Sequence, residues 1–119
     1  MKRRPALLQL SRDHHAALVL AQRIAKATDE ASVGRLLASV PRFFERELEP
    51  HFQAEEATLL PRLEAAGATA LVARTLDEHR LLRSLAARLA DGDSTSLKPF
   101  GDALNRHVRF EERELFVTA

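Results

Sequence analysis

The chain has 119 residues, 45% apolar and 29% charged, with few Gly and Pro, which marks it as globular and large enough to bury one core. Its 18 basic and 17 acidic side chains are spread along the sequence and leave a net charge of +1, so nothing favours nucleic acid or an anionic membrane as a partner. The absence of cysteine excludes disulfides, thiolate nucleophiles and cysteine-held clusters.

At the start, Met1-Lys2-Arg3-Arg4 before Leu7-Leu8 looks faintly like the opening of a secretory signal, but Arg12, Asp13, His14 and His15 cut the apolar stretch at once. No segment is long enough to cross a bilayer. A cytoplasmic chain forming a single domain over residues 1–119 is the expectation. Leu, Ala, Arg and Glu are good helix formers, and no short alternating runs suggest strands, so the fold class is all-α. A first helix is expected over about Leu10–Thr28, with Ser11 at or just inside its N-cap. Its inner stripe is Leu10, His14, Ala17, Leu18, Ala21, Ile24 and Ala25. A break is expected beside Ser32 and Gly34. The second helix lies within Val33–Ala66 and holds Pro41, Pro50 and Pro61, which predicts a bent helix or a short one feeding a longer one. Gly67 ends it. The third helix spans about Thr69–Ala90, with Val72, Thr75, His79, Leu82, Ala86 and Leu89 inward. After Asp91-Gly92-Asp93, a fourth begins near Thr95 or Ser96 with Pro99 in its first turn.

Four of the five histidines, His14, His51, His79 and His107, fall where antiparallel helices would bring them level, since a candidate turn lies close to the midpoint of each successive pair. His51 and His107 each have a glutamate four residues on, Glu55 and Glu111, on the same helix face. The chain also repeats itself. Asp13-His14 through Ala25 aligns with Glu78-His79 through Ala90, and Phe44, Leu48, His51, Glu55, Glu56 and Leu59 align with Phe100, Leu104, His107, Glu111, Glu112 and Leu115. Two helical hairpins would then form an up-down-up-down four-helix bundle with a pseudo-twofold axis. Burying two carboxylates among leucines costs several kcal/mol for each unpaired charge, and a metal ion removes that objection. Imidazole with carboxylate suits iron, zinc or manganese. A single buried histidine is ordinarily a satisfied core residue; four at one level, within a repeat, point to a binuclear site. His15 lies about 100° around the helix from His14 and reads as a surface residue. Glu56 and Glu112 face away from their neighbours, solvated or supporting, while Asp13 and Glu78 either orient a ligand on a neighbouring helix or mark helix boundaries. The six phenylalanines read as packing, some walling the pocket from water.

These residues, Asp13-His14, His51-Phe-Gln-Ala-Glu55-Glu56 with Leu59-Leu60-Pro61, Glu78-His79, and His107-Val-Arg-Phe-Glu111-Glu112 with Leu115-Phe116, resemble the hemerythrin HHE cation-binding domain over about Leu7 to Phe116. The resemblance implies a hemerythrin-like bundle holding a non-haem di-iron centre, oxo- or hydroxo-bridged, with zinc or manganese as substitutes. The implied ligands are His14, His51, Glu55, His79, His107 and Glu111, the two glutamates bridging. The oxygen-carrying members have a fifth histidine where this chain has Arg83, and His-x-x-x-x-Asp where it has His107-x-x-x-Glu111. The set of four histidines and two glutamates is closer to the bacterial branch tied to iron-cluster repair and nitric oxide, whose extra cysteine-containing domain has no counterpart in this sequence.

The expected function is a di-iron module that binds or senses oxygen, nitric oxide or hydrogen peroxide in an iron-related or stress role. The alternatives are an enzyme reducing nitric oxide or peroxide, and an iron-holding or structural bundle without turnover. With no tyrosine, tryptophan or cysteine to relay electrons, binding is favoured over catalysis.

Overall fold

A computed structural model describes the backbone of residues 5–118 and the side chains of residues 9–118. The signal-like opening at residues 1–4, and the side chains of Leu7 and Leu8, lie outside the described residues. Four helices and no strand make up the described chain. They are α1 (Pro5–Lys26), α2 (residues 30–65), α3 (Thr69–Ala90) and α4 (residues 97–118), the last entered through a 3₁₀ turn at Ser94–Ser96. None is long and apolar enough to cross a membrane.

The turns correct two expectations and bear out two. Helix α1 already includes Pro5, so Ser11 lies within it, and its hydroxyl donates to Glu112 at 3.0 Å instead of capping. The first break falls at residues 27–29 rather than at Ser32 and Gly34, because Asp29 is the stronger N-cap: its carboxylate accepts from the Ser32 amide at 3.1 Å. The other end of that turn is closed by Lys98, whose ammonium donates to the carbonyls of Ile24 (2.5 Å) and Ala27 (2.6 Å). Gly67 and Gly92 end α2 and α3 at φ of 89° and 94°, which a side chain would strain, and the amides just beyond them close the turns. Asp93 then accepts from the Thr95 amide at 3.1 Å and opens the way into α4.

The prolines of α2 do not interrupt it. Pro50 and Pro61 each follow a π-helical turn, Phe44–Leu48 and Glu55–Leu59, in which the closing amide reaches back five residues instead of four. A proline removes one donor and collides with the carbonyl four residues earlier; widening the preceding turn relieves both problems. A third π-turn, Glu111–Leu115, occupies the equivalent place in α4 with no proline after it. Two of the three π-turns therefore begin at the repeated glutamates.

Partners fall in number along α4 as they rise along α1: His14 meets Glu111, and Ile24 lies against Gly101. Likewise Arg83 of α3 reaches Glu49 of α2, while His79 reaches Glu55. Neighbouring helices are thus antiparallel, an up-down-up-down bundle 47 Å long and about half as wide. Its apolar interior is split. One core holds Ala17, Ile24, Leu48, Phe52, Leu82 and Leu104, and the other Leu10, Leu59, Leu63, Val72, Phe110 and Leu115. Buried polar side chains form a layer between them. On α1 the expected inner stripe holds at Leu10, His14, Ala17, Ala21 and Ile24, but Ala25 is exposed and Leu18 only half-buried, with Leu20 buried instead. The inner stripe expected of α3 is buried throughout.

Candidate metal centre

Each helix brings one histidine into the polar layer, His14, His51, His79 and His107, and α2 and α4 each add one glutamate. All six are buried, Glu55 and Glu111 with no exposed surface at all. The π-turns explain how α2 and α4 hold their histidine, glutamate and following leucine inward together. Successive four-residue steps in an α-helix drift by about 40°, and a wider turn beginning at the glutamate offsets that drift, so Leu59 and Leu115 remain buried.

The six residues form two groups of four: His14, His51, Glu55 and Glu111, then Glu55, His79, His107 and Glu111. Within each group the donor atoms lie within 4.8 Å of one another. Both groups share both glutamates. The imidazoles point Nε2 inward, with contacts of 2.8 Å from His14 to Glu111 and 3.0 Å from His79 to Glu55. His51 Nε2 lies 3.5 Å from Glu55, and His107 Nε2 3.3 Å from Glu111.

The Nδ1 atoms point outward, each to a carboxylate on a neighbouring helix. His51 meets Asp13 at 3.0 Å, His79 meets Glu56 at 2.7 Å and His107 meets Glu78 at 2.6 Å. Glu112 stands 3.4 Å from His14 Nδ1. A carboxylate can only accept here, so it favours a proton on Nδ1, and a ring that gives up its other proton to a cation then presents its Nε2 lone pair to the interior, the orientation a metal-binding histidine needs. Sequence alone left Asp13 and Glu78 open between an orienting and a boundary role, and Glu56 and Glu112 between solvent and support. The acid-His and Glu-Glu doublets were the available signal. The contact of Arg83, whose guanidinium grips Glu49 and Glu56 together, had no sequence signal beyond its place one turn after His79. Phe52 stacks on His79 with ring centroids 4.0 Å apart, and Phe116 on His14 at 5.1 Å. His15 is exposed, as its offset from His14 implies.

The protein's own charges produce large shifts. Burial works to lower His51 and His107, but Glu111 and Glu55 with Asp13, and Glu111 with Glu78, outweigh it and raise both to about 10. Burial works to raise Glu111, and the surrounding histidines hold it well below the usual carboxylate range. The outer carboxylates follow the same balance: burial tends to raise Glu56 and Glu78, and Arg83 with His79, and His107 with Arg74, keep both low.

Whether these residues suit a cation is answered by their unused atoms. Although several lie within 2.8–3.5 Å of one another, seven buried atoms here make no hydrogen bond among the described residues: both ring nitrogens of His14, Nε2 of His51 and of His107, Oε2 of Glu55 and both oxygens of Glu111. Buried polar atoms are nearly always satisfied, so this many in one layer calls for a binding partner. Divalent cations take donors at about 2.0–2.3 Å, and two such ions sharing the glutamates would occupy the inward nitrogens and oxygens.

A family model described as hemerythrin HHE cation binding domain matches residues 7–119. Neither a curated protein nor a solved structure gives a match.

Proposed function

Because the chain belongs to the hemerythrin HHE cation-binding domain family, we propose that it is a non-haem di-iron protein that binds or senses a small ligand, oxygen, nitric oxide or hydrogen peroxide. The ligands in this proposal are His14, His51, Glu55, His79, His107 and Glu111. The observation that carries it is the sharing of Glu55 and Glu111 between two buried four-donor groups. A single ion would need only one group, and both would not then have to be buried. Imidazole with carboxylate, and no sulfur, favours iron over softer metals. A role in iron-related or oxidative and nitrosative stress, in the cytoplasm, belongs to the same proposal.

Iron, when bound, supplies open coordination positions and one-electron redox change. The chain's residues do the rest. Four imidazoles present Nε2 inward, the outer carboxylates hold the ring protons at Nδ1, and Phe52 and Phe116 cover two of the rings. The two glutamates contribute a charge of −2 in a dry layer, which offsets part of the charge of two cations. The leucines on either side exclude water.

The test is metal analysis with an optical spectrum after anaerobic iron loading and exposure to air. Two irons per chain with an oxo-bridge absorption band are the expected result. Zinc alone, or no metal after loading, would sink the proposal. Turnover of nitric oxide or peroxide with an added reductant would move it from a sensor to an enzyme.

A further inference from the structure

One of the places where the pseudo-twofold repeat is broken beside the polar layer is Arg83. Arg83 follows His79 by one turn on α3 and reaches across to α2. Its Nε and Nη2 donate to the two oxygens of Glu49 at 2.7 and 2.9 Å, and its Nη1 and Nη2 donate to Glu56 at 2.9 and 3.2 Å. Glu56 Oε2 is also the atom that meets His79 Nδ1. The same guanidinium lies 5.7 Å from the centroid of Phe52, whose ring is stacked on His79 at an interplanar angle of 16°. The polar contact that fixes the ring's rotation and the aromatic face that fixes its plane therefore both rest against one arginine.

In the aligned hairpin, Leu18 stands where Arg83 stands and Asn105 where Glu49 stands. Leu18 is half-buried and packs on the apolar core, and Asn105 accepts from Arg109 on its own helix. Among the described residues these two aligned positions do not repeat the brace, and on the His14 side Glu112 accepts from Ser11 at 3.0 Å instead.

We propose that Arg83 is a positioning residue for His79, and that through it the geometry of the cation position formed by Glu55, His79, His107 and Glu111 is held. This rests on the two-cation reading above. A guanidinium is suited to the task because its planar fork grips Glu49 with two parallel hydrogen bonds while still reaching Glu56, whereas an ammonium is a point charge on a flexible stem. Loosening a partner that orients a metal-bound histidine typically costs 10- to 100-fold in metal affinity. Arg83 touches no inward-facing atom, so its effect passes entirely through Glu56 and Phe52.

The experiment uses the full chain and cobalt(II) alone. Stepwise titration followed by calorimetry gives the affinity of each ion, and proton NMR of the loaded protein shows the hyperfine-shifted, exchangeable Nδ1 protons of the bound histidines. Wild type is expected to take up two cobalt ions and to show four such protons. Arg83→Gln is expected to weaken one step by about 10- to 100-fold while sparing the other, and to broaden one of the four signals through faster exchange with water. Arg83→Lys should fall between the two, and keeps the inference testable if the glutamine variant does not fold. Arg80→Gln, on the same helix but paired among the described residues only with Asp77, should match wild type. Unchanged affinities in both Arg83 variants would overturn the proposal, as would an equal weakening of both steps with all four signals intact, the result of a general loss of stability. A wild-type chain that binds no cobalt would instead overturn the two-cation reading itself.

Discussion

Glu111 is the side chain that meets the most histidines in the polar layer. It faces His14, His51, His79 and His107, belongs to both donor groups, and has no exposed surface. Replacing Glu111 or Glu55 with Ala is expected to remove at least one iron per chain and to lower the melting temperature of the loaded protein, as metal counting and calorimetry would show. His15→Ala should leave iron content unaltered, and a drop would mean that α1 is rotated from the orientation described. The pH dependence has a definite sign in the metal-free protein. His51 and His107 are raised from 6.5 to about 10 by their carboxylates. Their contribution to stability is therefore complete below pH 6.5 and fades as pH rises toward 10. Thermal melts should show metal-free protein losing roughly 5 °C or more over that interval, while metal-loaded protein, whose imidazoles are neutral, does not follow. Glu111, shifted the other way, contributes above its ordinary value of 4.5 and loses its effect in acid.

At the scale of the element, the helices show which sequence signals can be read locally. The extent of α3, its inward stripe and the turns at Gly67 and Gly92 were all legible, because helix-stop glycines and a regular 3.6-residue pattern act over a few residues. The first turn was misplaced, because Ser32 and Gly34 lie beside the midpoint of His14 and His51, while the break is set by the cap bond of Asp29, which depends on geometry. The π-turns were not legible either: proline signals a broken helix, and only the contacts across the bundle favour a widened turn over a stop. Glycine gives a direct test of this packing. Gly34 is helical and an added Cβ would meet nothing within 4 Å beyond its own helix, so Gly34→Ala should stabilise by about 0.5–1 kcal/mol in a thermal melt. A methyl group added at Gly101 would come within 2.7 Å of Ile24 Cγ2, a stiff branch close to the α1 backbone. Gly101→Ala should therefore destabilise by about 1–3 kcal/mol, despite the same gain in helix propensity.

For the whole molecule, the sequence repeat made the level of the histidines visible, whereas which helix supplies the carboxylate behind each histidine could be seen only in three dimensions. His14 is backed from α4, His107 from α3, His79 from α2 and His51 from α1, so the supports run once around the bundle in a single sense. Removing metal with a chelator should then lower the melting temperature without unfolding the protein at room temperature, since two apolar cores and this ring remain; circular dichroism before and after chelation checks it.

The sharing of Glu111 also has a consequence for assembly order. Neither donor group can be completed by one hairpin, and both wait for a side chain on the last of the four helices. During translation the growing polypeptide would expose isolated His-Glu pairs with little hold on any ion, and loading would become favourable only once α4 has docked. In the proposed di-iron form, metal insertion would thereby be postponed until the cage is finished.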